Sequence, residues 1–179
     1  MTIRARLLLM IASTLIGFIL LSVFSLHSLH SKLVEEKQVQ LVKLVDGIFS
    51  QLKSYQDQVS SGKLSQDEAQ TRAIQFIKSY RYGNGDYFWI NDMSPKMIMH
   101  PTNPKLDGTD LSGNQDKKGN RMFMDMVAAV RSGGEQGGFV TYYWNRPNSD
   151  VPVEKLSHVR EFKSWGWVVG TGIYVDDIE

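Results

Sequence analysis

The chain has 179 residues, 42% hydrophobic, 11% aromatic and 22% charged, a composition that excludes wholesale disorder. Twenty basic against nineteen acidic side chains leave a formal net charge of +1, without the basic excess a dedicated nucleic-acid binder needs. With no cysteine present, disulfides, Cys-ligated zinc, iron–sulfur clusters, CxxCH haem attachment and thiol nucleophiles are excluded together.

From Leu7 to Leu26 the sequence runs without a charge. At about 1.5 Å per residue that is roughly 30 Å, the thickness of a bilayer's hydrocarbon core. Arg4 and Arg6 precede the run, and His27, His30, Lys32, Glu35 and Glu36 follow it. The positive-inside rule then predicts a cytoplasmic N-terminus and an external chain beyond about residue 30. A cleaved secretory signal would have a shorter apolar region ending in small residues, and Ser22-Val23-Phe24-Ser25-Leu26 offers no such cleavage site. The expected organisation is an anchor over 1–30 and an extracytoplasmic domain over 31–179. Without Arg4 and Arg6 the remainder holds eighteen basic and nineteen acidic groups, so the external part is nearly neutral.

No proline occurs before Pro95, and the helical pattern continues past the anchor. Leu41, Val45, Ile48, Leu52, Tyr55 and Val59 alternate spacings of four and three, a heptad seam. The spacing predicts one helix to about Ser60, broken at Ser61-Gly62. The seam serves either its own domain or, nearer the membrane, a second copy of the chain, and a homodimer through this helix is expected. Ser65-Gln66-Asp67-Glu68 fits a capping box, and Ala69, Ala73, Phe76, Ile77 and Tyr80 form the stripe of a second helix over 66–80. Gly83-Asn84-Gly85 is expected to stop it.

From Asp86 the period changes to two. Expected strands are Tyr87–Asn91, Met97–His100, Gly138–Asn145, Val153–Phe162 and Trp167–Val175, with a short helix over 120–131 between the second and third. Short connections favour an antiparallel sheet with helices packed on it, an α+β class.

Little in this pattern points to catalysis. The histidines at 27, 30, 100 and 158 are scattered, with no HExxH and no two-His-carboxylate cluster, so no metal site is expected. The loop from Asp110 resembles a calcium loop only faintly: Gln115 stands where glycine is required and Arg121 where the closing Glu belongs. No G-x-S-x-G elbow and no phosphate-binding glycine loop occurs. What stands out is aromatic density on the strands: Tyr87 and Trp89 on one face, Tyr142 and Trp144 on one face, with Arg81, His100 and Lys155 among them. A plain aromatic core accounts for most such rings, but buried Tyr and Trp need hydrogen-bond partners, and a few convergent polar groups define a small pocket.

Arg81-Tyr82-Gly83 leads into Asp86-Tyr87-Phe88-Trp89-Ile90-Asn91-Asp92, then Met99-His100-Pro101, Leu106-Asp107-Gly108, Asp116-x-x-Gly119 and Gly138-Phe139-Val140-x-Tyr142-x-Trp144. Lys155 follows, and the end reads Trp165-Gly166-Trp167-Val168-Val169-Gly170-Thr171-Gly172-Ile173-Tyr174-Val175-Asp176-Asp177. In this order the residues from about 35 onward resemble the single-Cache, PAS-like sensor domain of bacterial methyl-accepting chemotaxis proteins. The resemblance implies a five-stranded antiparallel sheet hung on a long N-terminal helix. It also implies binding of a small extracellular molecule, often a short carboxylate such as acetate, propionate or pyruvate, and no enzymatic activity or cofactor. Localisation in the bacterial inner membrane, with a periplasmic or extracellular sensor, is implied too. In the full family pattern a second membrane helix and a signalling module follow, whereas this sequence stops at Glu179, as a receptor fragment or a stand-alone sensor would. The input domain of a sensor histidine kinase or a cyclic-dinucleotide enzyme would look the same, and a membrane-tethered structural domain is the alternative from another class.

A buried carboxylate needs cations or donors around it. Arg81, next to the glycine turn, is the first expected contact, its fork suited to two-point binding. Its alternative is a salt bridge to Asp86 or a neighbouring acid. Tyr82, Tyr87, Trp89, His100 and Tyr142 are expected to supply donors or apolar walls, Lys155 a second positive charge, and Met97 and Met99 the apolar end. The strand ending at Val175, with Gly170 and Gly172 allowing close approach, is expected to carry displacement toward the membrane.

Overall fold

The computed structural model describes residues 2–177, in two compact units, Met1–Lys37 and Gln38–Glu179. In the first unit the chain is wholly helical from Ile3, and apolar side chains including Leu15, Phe18, Leu21 and Phe24 are more than half exposed. By length and composition this is a helix able to cross a membrane.

The same helix, α1 (Ile3–Ser60), carries the heptad seam into the second unit. There Leu41, Val45, Ile48 and Leu52 are buried. The last three pack with Ala73, Ile77, Phe88, Ile90, Met99 and Val169 in one apolar cluster. The Val45–Leu52 stretch of the seam is therefore spent on its own sheet, and a second copy would have to meet other α1 positions. Arg160 extends the attachment, with Nη1 2.7 Å from Asp46 Oδ1 and its guanidinium over the Phe49 ring.

Helix α2 (Gln66–Ser79) begins as its capping residues require: Ser65 Oγ accepts from Glu68 N at 3.2 Å. The Glu68 carboxylate goes instead to Arg72, one turn on, at 2.8 Å. The helix stops earlier than the glycine signal implies. Gly83 (φ 51°) and Gly85 (φ 95°) instead make the turn between β1 (Arg81–Tyr82) and β2 (Asp86–Asp92).

Strands β3 (Met97–Met99), β4 (Gly138–Asn145), β5 (Pro152–Phe162) and β6 (Trp167–Tyr174) complete an antiparallel sheet of order β1-β2-β6-β5-β4, with β3 also pairing β2. Helix α3 (Met122–Gly133) lies two residues later than its sequence pattern suggests. Alternation divides the sheet into two faces. One carries Phe88, Ile90 and Val169 toward α1 and α2. The other carries Tyr87, Trp89, Val140, Tyr142, Val159 and Val168 against Met97, Leu111 and the buried stripe of α3. This second face holds the candidate site.

Candidate functional site

Register brings the site together. Lys155 on β5 pairs across with Tyr142 on β4 and Tyr174 on β6, so all three project from one face. Two residues on, Ser157 lies opposite Gly172, and Tyr142 Oη meets Ser157 Oγ at 3.1 Å. On β2, Trp89 lies opposite Gly170. A Cβ at Gly170 would stand 2.3 Å from Trp89 Cζ2, so only glycine lets the indole lie against the strand. Asn91, fully buried, accepts from Trp89 Nε1 at 3.1 Å and fixes the ring's rotation.

At the centre is a cation. Lys155 is 1% exposed, with Nζ 4.2 Å from the Tyr87 ring centroid, 4.9 Å from Tyr174 and 5.6 Å from Trp89. Among the described residues no carboxylate lies within ion-pair distance of it. Cation–π contacts only partly replace lost hydration. Tyr87 Oη, buried beside this cation, makes no hydrogen bond of good geometry among the described residues; its hydroxyl neighbour Tyr174 donates to Asn145 O instead. Buried polar groups are nearly always satisfied, so such a hydroxyl next to an uncompensated ammonium marks a place for an acceptor.

His100 borders the cluster, its ring 5.1 Å from Tyr87 and 5.6 Å from Trp144. Asn103 N donates to His100 Nδ1 at 3.0 Å, while His100 N donates to Asp107 Oδ1 at 2.7 Å. Accepting at Nδ1 leaves Nε2 as the protonated nitrogen of the neutral ring. Burial first, then the Lys155 charge, pushes the imidazole down to about 3. The ring is thus a neutral donor. Burial likewise pushes the Tyr142 and Tyr174 hydroxyls up, keeping them protonated. Outside the cluster a cleft of about 670 Å³ opens between the loop around Asn103 and the turn after β4, and Trp144 and Met122 belong to both.

Of the residues expected from sequence, Tyr87, Trp89, Met97, His100, Tyr142 and Lys155 gather on this face. Tyr82 and Met99 do not: they pack on the opposite face, where Tyr82 Oη lies 2.6 Å from Thr171 Oγ1. Arg81 lies outside the cluster as well. It is exposed, and its Nη1 donates to the Lys78 and Tyr80 carbonyls, each at 2.8 Å, closing the C-terminus of α2. Its partners are main-chain oxygens, and the only sequence-predicted cation within the cluster is Lys155. Sequence reading missed Tyr174, Ser157 and Asn91 as members. The pairing of Tyr174 with Lys155 becomes visible only once β5 and β6 are in register.

No group of three or more metal-donor side chains occurs among the described residues. What the face offers is one cation, hydroxyl and imidazole donors, and aromatic walls: equipment for binding a small anion.

A long helix leading onto an antiparallel sheet, with this aromatic and cationic cluster on the far face, defines a Cache-type sensor fold. The model of the Single Cache domain 2 family matches residues 33–179, and the chain belongs to that family. Over all 179 residues the chain is 40% identical to the methyl-accepting chemotaxis protein McpP of Pseudomonas putida, covering 32% of that protein. It is 26% identical over 154 residues to the sensor histidine kinase MctS of Rhizobium johnstonii, covering 86% of this chain and 32% of the kinase. The chain thus spans about a third of these curated relatives. A solved structure reported as the structural basis for carboxylic acid recognition by a Cache chemosensory domain matches at 44% identity and a TM-score of 0.77, covering 82% of this chain and 99% of that one.

Proposed function

We propose that this chain is the ligand-binding region of a membrane chemoreceptor and that Lys155 receives the carboxylate of a short-chain acid such as acetate, propionate or pyruvate. The observation carrying this reading is the buried Lys155 ammonium, with no carboxylate partner among the described residues, beside the Tyr87 hydroxyl. A carboxylate placed there would exchange a cation–π environment for a charge-assisted contact and would accept from Tyr87 Oη. His100 Nε2 and Tyr142 add donors, while Trp89 and Met97 limit the acid's length. Carboxylic acid recognition by a solved relative of 44% identity supports the ligand class.

The apolar part of α1 anchors the domain in the bacterial inner membrane, with Arg4 and Arg6 on the cytoplasmic side and the sensor outside. Its work is binding and transmission, without a chemical step of its own. Two copies pair along α1, through positions other than the Val45–Leu52 stretch of the seam. Similarity to the kinase MctS favours a second reading, the input region of a sensor kinase, in which Lys155 would serve the same ligand-binding role.

The experiment is a melting and calorimetric panel of short carboxylates, the matching neutral amides and simple amines. Carboxylates should raise Tm in proportion to the logarithm of concentration, by mass action on the folded state, and amides and amines should not. A response to amines alone overturns the carboxylate reading, and silence across the panel overturns the pocket.

A further inference from the structure

Arg146 sits in the turn after β4, lining the outer cleft, yet its guanidinium stacks over a ring of the Lys155 cluster. Its centre lies 4.4 Å from the Tyr174 ring centroid. Its terminal nitrogens donate to both oxygens of Asp177, at 3.0 and 2.8 Å, and to Asp176 Oδ1. Tyr174 is 1% exposed, and its hydroxyl donates to Asn145 O at 2.8 Å, next to Arg146 in sequence. That same ring is the second nearest to Lys155 Nζ, at 4.9 Å.

One tyrosine is therefore shared by two cations. Arg146 has two carboxylates to balance it, and among the described residues Lys155 has none. Two like charges at one ring repel, and each weakens the other's hold on its π system. An anion bound at Lys155 would cancel the repulsion and let the Arg146 stack tighten. Arg146 is also the element that clamps the turn Val175–Asp177, which follows directly from β6. An ordinary surface ion pair would steady that turn and do nothing else. A planar fork held by two acids and laid on a buried ring does more, because it fixes the ring.

We infer that Arg146 is a positioning residue for the pocket: it holds Tyr174 against Lys155 and, through Asp176 and Asp177, couples occupancy of the pocket to the end of β6. The inference rests on Lys155 as the anion site. Coupling of this kind is reciprocal: what loosens the clamp must weaken the ligand, and what neutralises Lys155 must firm the clamp.

The test uses the full chain in detergent, with hydrogen exchange followed at residues 174–177 and calorimetric titration with propionate. Arg146→Gln should speed exchange there and weaken propionate about threefold to tenfold, the scale of coupling between residues that share a partner. Arg146→Lys, which keeps a charge over the ring but loses the fork, should recover much of the affinity and little of the protection. Lys155→Met without any ligand should slow exchange at 175–177, as propionate does in the parent chain. An Arg146→Gln chain that exchanges faster but binds propionate as tightly as the parent makes Arg146 a turn stabiliser and overturns the inference. Should the parent bind no short acid, the ligand-free Lys155→Met comparison still decides. Slowed exchange sustains the coupling while the carboxylate reading falls, and unchanged exchange removes the coupling.

Discussion

Replacing Lys155 by methionine separates a residue kept for a ligand from one kept for the core. The side chain is 1% exposed and faces three rings with no carboxylate partner among the described residues. A desolvated cation–π contact contributes about 2 kcal/mol, whereas burying an uncompensated ion costs several kcal/mol even after relaxation. Methionine fills a similar unbranched volume without the charge. The empty domain should therefore become more stable by about 1–3 kcal/mol, raising Tm by roughly 3–9 °C for a domain of this size. Affinity should move the other way. Losing the partner of a buried carboxylate costs about 2–4 kcal/mol, which is about 30-fold to 900-fold in Kd. Differential scanning calorimetry of the empty variant and titration with propionate measure both quantities on one preparation. A variant that melts lower than the parent refutes the reasoning, because the ammonium would then stabilise the empty fold. A variant that binds propionate unchanged refutes it equally.

Other substitutions probe the surroundings of that cation. His100 is held down to about 3 in the fold against about 6.5 unfolded, so the unfolded chain takes up its proton first as pH falls. Its contribution is complete above pH 6.5 and is lost toward pH 3, about 2 kcal/mol by pH 5; urea unfolding at pH 7 and pH 5 should show that difference, and His100→Gln should remove it. Arg81→Ala should change propionate affinity less than about twofold and lower stability by about 0.5–1.5 kcal/mol, the scale of a lost cap, since its fork meets only the carbonyls of Lys78 and Tyr80; a large loss of affinity would return Arg81 to the site. Gly170→Ala places a methyl group 2.3 Å from Trp89 Cζ2, and should cost about 1–3 kcal/mol and shift the tryptophan emission, while an unperturbed melt would show that the indole has room to move.

Much of this architecture is legible in the sequence because period and punctuation agree. The strand signals at 138–145, 153–162 and 167–175 fall within a residue of the observed elements, and Ser65 caps α2 as its position predicts. Tyr87–Asn91 reads as a strand, one residue short of β2 at each end, but its alternation cannot say which face meets α1 and which the Lys155 cluster. The same ambiguity holds for the short strands β1 and β3, which place Tyr82 and Met99 on the face toward α1 and α2. Arg81 fails for a different reason: a guanidinium at a helix C-terminus finds main-chain carbonyls within its own reach, and local partners win over a distant pocket. Lys155 reads as secondary in the sequence because its worth depends on burial and on the absence of a nearby acid, which only the assembled sheet reveals.

Asp116 has a consequence away from the Lys155 cluster. Its Oδ2 accepts from Tyr143 N at 3.0 Å, from Asn120 Nδ2 at 2.9 Å, and its Oδ1 from Lys118 N and Asn120 N. Burial pushes this carboxyl up, but the four hydrogen bonds outweigh it and hold the group at about 2. Tyr143 N belongs to the open margin of β4, the last strand in the sheet order, where unpaired donors can recruit a strand from another molecule. At the opposite margin β2 is flanked by two strands of only 2 and 3 residues, β1 and β3, which offer no long template. At β4 a loop carboxylate occupies a donor that a foreign strand would need, and its hydrogen bonds keep it ionised well below neutral pH. The sheet thus shields part of its longer margin from strand-by-strand polymerisation with a single acid.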